Sequence, residues 1–216
     1  MAVEATRLWD TMIISCESNV KGVAMKNPLE NLHRTLGLGV VLALLVFLIR
    51  GHYTIVGQQA YWLFFFRWLH VFMGILWIGL LYYFNFVQIP SMPKIPDEQK
   101  PAIGKVIAPT ALYFFRWAAA GTVLFGLITA GLSNYLSQAL TFQSGVQTIG
   151  IGMWLALIMA ANVWFVIWPN QKKVLGIVNA DADAKKKAGR IAMLASRTNT
   201  MLSIPMLYCM VGQKLL

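Results

Sequence analysis

Long apolar runs with almost no charged side chains are the feature of this sequence that most restricts its fold. The clearest run, YWLFFFRWLHVFMGILWIGLLYYFNFVQI from Tyr61 to Ile89, is longer than the roughly 20 residues that cross a bilayer as a helix. Hydrophobic residues make up 58% of the 216 residues and charged residues 12%, which is about half the charged share of a soluble domain. A chain of this size cannot bury so much apolar surface in a water-soluble core, so lipid must be its solvent.

The apolar runs predict an all-α polytopic membrane bundle with about five transmembrane helices. Besides Tyr61 to Ile89, the predicted spans are Leu36 to Ile49, Ala111 to Leu136, Val146 to Trp168 and Thr200 to Leu216. Pro90, Pro93 and Pro96 predict the end of the second span, and Pro169 predicts the end of the fourth. The last run is short and contains Pro205, so four spans and a re-entrant or interfacial tail are the alternative. Residues 1–34 are expected to form an N-terminal segment and residues 35–216 the transmembrane domain.

The distribution of lysine and arginine predicts the orientation of the bundle. With five spans, one side of the membrane receives the N-terminal segment, the 94–105 connection and the lysine-rich loop from Lys185 to Arg190. The other side receives only Arg50 and Lys214, and the connection from Ser133 to Gln147 carries no charge. Cytoplasmic loops hold the excess of basic residues. We therefore expect a cytoplasmic N-terminus and a location in the bacterial inner membrane. Because the basic residues lie in clusters between apolar runs, the formal charge of +10 indicates membrane topology, and we expect no nucleic-acid partner.

The predicted spans contain no carboxylate, and the sequence has no paired-cysteine motif, which disfavours several functional classes. All eight acidic residues fall outside the predicted spans, whereas proton-coupled carriers place a carboxylate inside the membrane. Cys16 and Cys209 lie far apart and outside any CxxC or CxxCH pattern, so they indicate neither a zinc site nor covalently attached haem.

Arg67 and His70 are the ionisable pair that could carry chemistry within a span. They lie three residues apart and share one face of the second helix with Trp77, on its predicted periplasmic half. A neutral histidine ring can ligate haem iron, and a nearby arginine can pair with a haem propionate. The structural alternative is that His70 hydrogen-bonds a neighbouring helix while Arg67 extends to the interface.

A second haem ligand is not specified by spacing. His52 follows the first span on the same predicted side, and Met206 or Met210 on the fifth span are further candidates. Arg116 repeats the context of Arg67, because YFFRW echoes FFFRW. It is a further cofactor-binding candidate, although aromatic-belt anchoring explains it equally well. His33 falls on the predicted cytoplasmic side and is expected to be a surface residue.

Three stretches resemble the membrane domain of the cytochrome-linked membrane urate oxidases, also called urate hydroxylases. They are RWLHVFMGILWIGLLYYFNFVQIP from Arg67, NVWFVIWPNQKKVLG from Asn162 and ASRTNTMLSIPMLYCMV from Ala195. The stretch FFRWAAAGTVLFG from Phe114 is also similar, and the resemblance runs from about Tyr61 to the C-terminus. The matching polar and aromatic positions are Arg67, His70, Trp77, Asn85, Arg116, Asn162, Arg197 and Asn199.

The resemblance implies a membrane redox module linked to urate oxidation. Such a module could bind b-type haem and exchange electrons with a periplasmic cytochrome c. Two departures bear on this expectation: no CxxCH motif for a cytochrome c domain is present, and Gln213 and Lys214 stand where the family suggests a histidine. The alternative is a non-catalytic accessory subunit of a larger respiratory, photosynthetic or monooxygenase complex. Membrane lipid and the other subunits of such a complex are the remaining expected partners.

Overall fold

A computed structural model describes residues 27–213, and within that range the chain is helical and contains no strand. Most of the predicted N-terminal segment, with Cys16, and Lys214 near the C-terminus lie outside the described residues. The chain divides into two compact units, Met1–Ile55 and Val56–Leu216. The first apolar helix therefore belongs to the N-terminal unit, whereas the sequence grouped it with the other spans.

The N-terminal unit contains helix α1, Leu32–Ile49. Asn31 precedes this helix, and its Oδ1 accepts hydrogen bonds from the backbone N–H groups of His33 and Arg34, at 3.0 and 3.3 Å. These bonds satisfy two of the donors that a helix leaves free at its start. A 3-10 turn, His52–Ile55, follows α1.

The described residues of the second unit form five helices, of which four are long. They are α2 (Gln59–Lys94), α3 (Lys100–Leu132), the short α4 (Leu136–Leu140), α5 (Gln147–Val174) and α6 (Ala182–Gly212). The most extensive contacts are between α2 and α3 and between α5 and α6. The prediction of an all-α helical bundle is confirmed for the described residues.

Four of the described helices, α1, α2, α3 and α5, are long and apolar enough to cross a membrane. The predicted fifth span, Thr200 to Leu216, lies in α6 as far as Gly212, and α6 is not among these four. Its first half carries the Lys185 to Arg190 cluster, and its buried positions include Ser196, Asn199 and Ser203. These residues lower the mean hydropathy of α6. Its length is sufficient to cross a bilayer, since 31 residues give a helix about 46 Å long at 1.5 Å per residue.

Three prolines widen the long helices instead of ending them. The π-helical turns Tyr83–Gln88, Ile103–Ile107 and Val163–Ile167 each end two residues before a proline: Pro90, Pro109 and Pro169. A proline ring clashes with the carbonyl four residues earlier and offers no N–H to it. That carbonyl lies inside the π turn in each case, where the wider backbone accommodates the ring. The predicted end at Pro169 is therefore wrong, because α5 continues to Val174. Of the three prolines predicted to end the second span, α2 continues past Pro90 and Pro93 to Lys94 and ends before Pro96.

A buried amide cluster joins the middle of the bundle. Asn199 is completely buried, its Oδ1 accepts from Asn162 Nδ2 at 2.8 Å, and its own Nδ2 donates to the Met159 carbonyl at 2.9 Å. On α2, Asn85 Nδ2 donates to Ser196 Oγ at 2.8 Å. Hydrogen bonds of this kind hold membrane helices together, since lipid offers no hydrophobic drive for their association. Three of the polar positions that carried the family resemblance, Asn85, Asn162 and Asn199, therefore hold α6 against α2 and α5.

Replacing Asn199 by alanine should lower the free energy of unfolding by about 1–2 kcal/mol. The substitution removes both hydrogen bonds and leaves the Met159 carbonyl without its side-chain donor. Unfolding of the purified protein in detergent, followed by circular dichroism, measures the change. Thr198→Ala is the matched control, because exposed Thr198 bonds only within its own helix, to Leu194. An Asn199→Ala protein as stable as Thr198→Ala would contradict this role.

Candidate cofactor cavity

A cavity of about 580 Å³ lies between α2, α3, α5 and α6. It is at the end of the second unit that carries the uncharged 133–146 connection, which the charge pattern predicts to be periplasmic. Most of its lining is apolar, and its polar side chains come mainly from α2, α3 and the residue that precedes α4. Sites for cofactors and other small molecules are typically apolar cavities of roughly 300–1,000 Å³ with a few polar groups.

His70 lies in the wall of this cavity with one ring nitrogen already engaged. Its Nδ1 is 2.7 Å from the backbone oxygen of Thr122. A carbonyl oxygen can only accept, so Nδ1 carries the proton and donates. Nε2 is then the nitrogen with a free lone pair, and no hydrogen bond joins it to another residue of the 27–213 range. This is the arrangement in which a histidine is held ready to ligate a metal.

Gly126 provides the space for the His70 ring. A Cβ atom at this position would lie 2.8 Å from Cε1 and 2.9 Å from Nδ1 of His70. Any larger residue would push the ring away from the Thr122 oxygen. The glycine is therefore needed for close approach of α3 to α2, as Gly121 is for the neighbouring Met73 side chain.

Arg67 and Tyr135 add a positive charge and a hydroxyl to the same lining. The only ion pair among the described residues is that of Lys100 and Asp97, so Arg67 faces the cavity without a carboxylate partner. Burial raises the pKa of the Tyr135 phenol above its ordinary value of 10.0, and the nearby Arg67 guanidinium partly lowers it. The phenol is thus a neutral hydrogen-bond donor at physiological pH. Together the two groups favour an anionic ligand group.

The deeper wall combines one unpaired donor with several thioethers. Trp77 is completely buried and lines the cavity, and its Nε1–H has no hydrogen-bond partner among the described residues. Buried indole N–H groups normally have a partner. Met153, Met206 and Met210 bring sulfur atoms to the same cavity. The wall thus offers an indole N–H that can donate to a ligand, and thioethers, which are soft ligands for a metal.

The structure brings together some of the predicted site residues and places others elsewhere. Arg67, His70, Trp77, Met206 and Met210 share the cavity lining. Arg116 is not in this lining; its guanidinium carbon lies 3.8 Å from the centre of the Trp168 ring.

His52 belongs to the N-terminal unit. There its ring packs edge to face on Phe47, with ring centres 6.2 Å apart. The predicted cofactor-binding roles of all these residues stay predictions.

Comparison with known families bears on the predicted resemblance. Residues 112–215 match the model of the urate oxidase N-terminal family. The match confirms a resemblance to this family over α3 to α6. The stretch from Arg67 that also suggested it lies before the matched residues. No curated protein and no solved structure matches the chain.

Gln213 links the end of α6 to the start of α5. Its Oε1 accepts from the Ile149 N–H at 2.8 Å and its Nε2 donates to the Gly145 carbonyl at 2.7 Å. It therefore fills a structural position in this chain, at the rim where α5 begins.

Sequence reasoning missed Tyr135 and Met153 as cavity residues. Tyr135 follows an apolar run in a connection that carries no charge, and nothing in that connection indicates that its hydroxyl approaches Arg67. Met153 is one of 11 methionines, and helical spacing does not distinguish it from core residues.

The Tyr135 phenol should ionise at higher pH than an exposed tyrosine, because burial disfavours the phenolate. Arg67→Gln should raise the pKa further, since it removes the charge that stabilises the phenolate. Phenolate absorbance during an alkaline titration, with the Tyr135→Phe titration subtracted, isolates this residue. A lower pKa in Arg67→Gln than in the unaltered protein would contradict the proximity of the two groups.

Proposed function

We propose that the cavity binds b-type haem through His70 and that the chain is a membrane redox module of urate oxidation. The module would lie in the bacterial inner membrane and exchange electrons with a periplasmic cytochrome c. The family match over residues 112–215 supports the link to urate oxidation, and the cavity supports the binding of a cofactor.

The protonation state of His70 is the observation that carries the proposal. Its Nδ1–H is held by the Thr122 carbonyl at 2.7 Å, which leaves Nε2 as a ligand in the cavity wall. A carbonyl partner on the far nitrogen fixes the ring orientation and increases the basicity of the ligating nitrogen. Within the described residues no group of three or more His, Cys, Asp or Glu side chains could hold a bare metal ion. A single histidine suits an iron that brings its own equatorial ligands, as haem does.

The charged and polar groups of the cavity fit the anionic edge of haem. Arg67 can pair with a propionate, and the neutral Tyr135 hydroxyl can donate to the same group or its neighbour. Propionates would supply the negative charge that Arg67 lacks among the described side chains.

The remaining residues supply a dry apolar environment and a second ligand. Haem carries the electron chemistry when it is bound. Trp77 and the apolar residues of α5 exclude water from the deep wall, and burial of this kind sets the potential of a haem site. Met206 and Met210 are the second-ligand candidates that share the cavity with His70.

Electron exchange with a soluble cytochrome needs the cofactor edge close to the membrane surface. The Arg67 and Tyr135 end of the cavity lies beside the 133–146 connection, which the charge pattern places on the periplasmic side. A periplasmic cytochrome c could approach the bundle there.

Purified protein should show the strong near-ultraviolet absorption band of b-type haem, and His70→Ala should lose most of it. The substitution removes the nitrogen ligand and also the hydrogen bond to Thr122, so circular dichroism and thermal unfolding of the variant check that the bundle is still folded. His33→Ala is the matched control: His33 lies in the first turn of α1, is exposed and should leave haem content unchanged. Haem content per chain is measured by the pyridine haemochrome assay.

A full haem content in His70→Ala would contradict the ligand assignment. A colourless protein that co-purifies with a large membrane complex would favour the accessory-subunit alternative. Reduction of added cytochrome c on addition of urate, measured with the unaltered protein in membranes, then tests whether the module takes part in urate oxidation.

If a thioether is the second ligand, either Met206→Leu or Met210→Leu should lower the reduction potential of the haem. Methionine ligation raises the potential, and leucine preserves the volume of the side chain without the sulfur. A potentiometric titration followed by visible absorption measures the change, and Met201→Leu is the control, because Met201 is an exposed methionine of α6 outside the cavity lining. Unchanged potentials in both variants, with a changed potential in His52→Ala, would exclude thioether ligation.

A further inference from the structure

A cluster of two cations and two aromatic rings lies on α3 and α5. The Arg116 guanidinium carbon is 3.8 Å from the centre of the Trp168 ring and 5.5 Å from that of Tyr113. The Lys172 ammonium is 5.9 Å from the centre of the same Trp168 ring. We call Arg116, Lys172, Trp168 and Tyr113 the Arg116 cluster.

The Arg116 cluster has no anionic partner in the described part of the chain. No hydrogen bond or ion pair joins Arg116 or Lys172 to a side chain between residues 27 and 213, where Lys100 and Asp97 form the only ion pair. Two like charges beside one ring repel each other, and the ring face attracts each of them only weakly at an accessible site. An anion between the two cations would remove this repulsion.

The position of the cluster along the helices indicates which anion is available. Trp168 ends the apolar part of α5, and the residues PNQKK follow it directly. Trp117 and Trp164 pack edge to face nearby, with ring centres 5.4 Å apart. Tryptophan and tyrosine collect at the level of the lipid headgroups, where their rings meet both lipid and water. The cations of the cluster therefore lie where lipid phosphates are found.

We propose that the Arg116 cluster is a binding site for the phosphate group of an anionic phospholipid. The planar guanidinium can donate two parallel hydrogen bonds to a phosphate, and stacking on Trp168 fixes the plane from which it donates. Lys172 adds a second positive charge, which favours a lipid with net negative charge over a zwitterionic lipid. Tyr113 and Trp117, both about half exposed, present apolar surface beside which an acyl chain can lie.

The experiment compares phosphatidylglycerol with phosphatidylcholine of the same acyl chains, each titrated into the full-length protein in detergent. Native mass spectrometry counts bound lipids, and thermal unfolding reports stabilisation. Phosphatidylglycerol should bind and raise the unfolding temperature more than phosphatidylcholine does. Arg116→Gln should weaken phosphatidylglycerol binding about tenfold, as the loss of a charge-assisted hydrogen-bonding partner does.

Three further variants distinguish this site from general charge attraction. Arg116→Lys keeps the charge but cannot donate two parallel hydrogen bonds, so its affinity for phosphatidylglycerol should lie between those of Arg116→Gln and the unaltered protein. Lys172→Gln should weaken binding less than Arg116→Gln and keep the Trp168 stack intact. Lys187→Gln removes an exposed lysine of α6 outside the cluster and should bind phosphatidylglycerol as the unaltered protein does.

Two results would overturn the proposal. One is equal affinity for phosphatidylglycerol in the unaltered protein, Arg116→Gln and Lys172→Gln. The other is equal stabilisation by inorganic phosphate and by phosphatidylglycerol at the same concentration, which would indicate a site for free anions. If Arg116→Gln fails to fold, Lys172→Gln and the phosphate comparison decide the question by themselves.

Discussion

The hydrogen bond from His70 to the Thr122 carbonyl is the interaction on which the cavity depends. At 2.7 Å it joins α2 to α3 and determines which nitrogen of His70 carries a proton. It also requires Gly126, because a side chain there would occupy the space of the imidazole ring. The same hydrogen bond therefore depends on the close packing of α2 and α3 and determines the protonation of His70. If α3 lay further from α2, both the close packing and the hydrogen bond that fixes the His70 proton would be lost.

The second unit separates two kinds of polar group along its length. The Arg67, His70 and Tyr135 end holds a cavity lined by polar groups with free hydrogen-bonding capacity among the described residues, whereas in the middle Asn162 and Asn199 bond to each other across α5 and α6 and Asn85 donates to Ser196. Lipid offers no hydrogen bonds to either set. Asn162 and Asn199 solve this problem within the protein, and Asn85 does so only through its donor, because its buried Oδ1 has no partner among the described residues. The cavity groups solve it only with a ligand, which is why we assign function to the cavity and a structural role to the amide cluster.

The sequence predicted the helical class, the positions of the apolar runs and the shared face of Arg67, His70 and Trp77, because each follows from composition or helical spacing. It misplaced the helix end at Pro169, and α2 also continues past Pro90, since a helix can accommodate a proline in a π turn instead of ending there. Arg116 was grouped with Arg67 on a repeated pentapeptide, but the two arginines meet different neighbours. Tyr135 and Met153 could not be identified, because their approach to the cavity depends on how the helices pack.

The π turns change how the two halves of a long helix relate to each other. Each turn fits extra backbone into the same rise, so the side chains that follow it are rotated relative to those of a regular helix. In α2, the cavity residues precede the turn Tyr83–Gln88 and Asn85 lies within it. Deleting one residue from this turn would restore regular winding and leave the later side chains close to their present orientation, whereas regular winding of the unaltered sequence would rotate each of them by about 100°. The orientation of the predicted cytoplasmic end of α2 therefore depends on the π turn, and a one-residue deletion should be tolerated there although the same deletion in a regular part of α2 would turn one half of the helix against the other.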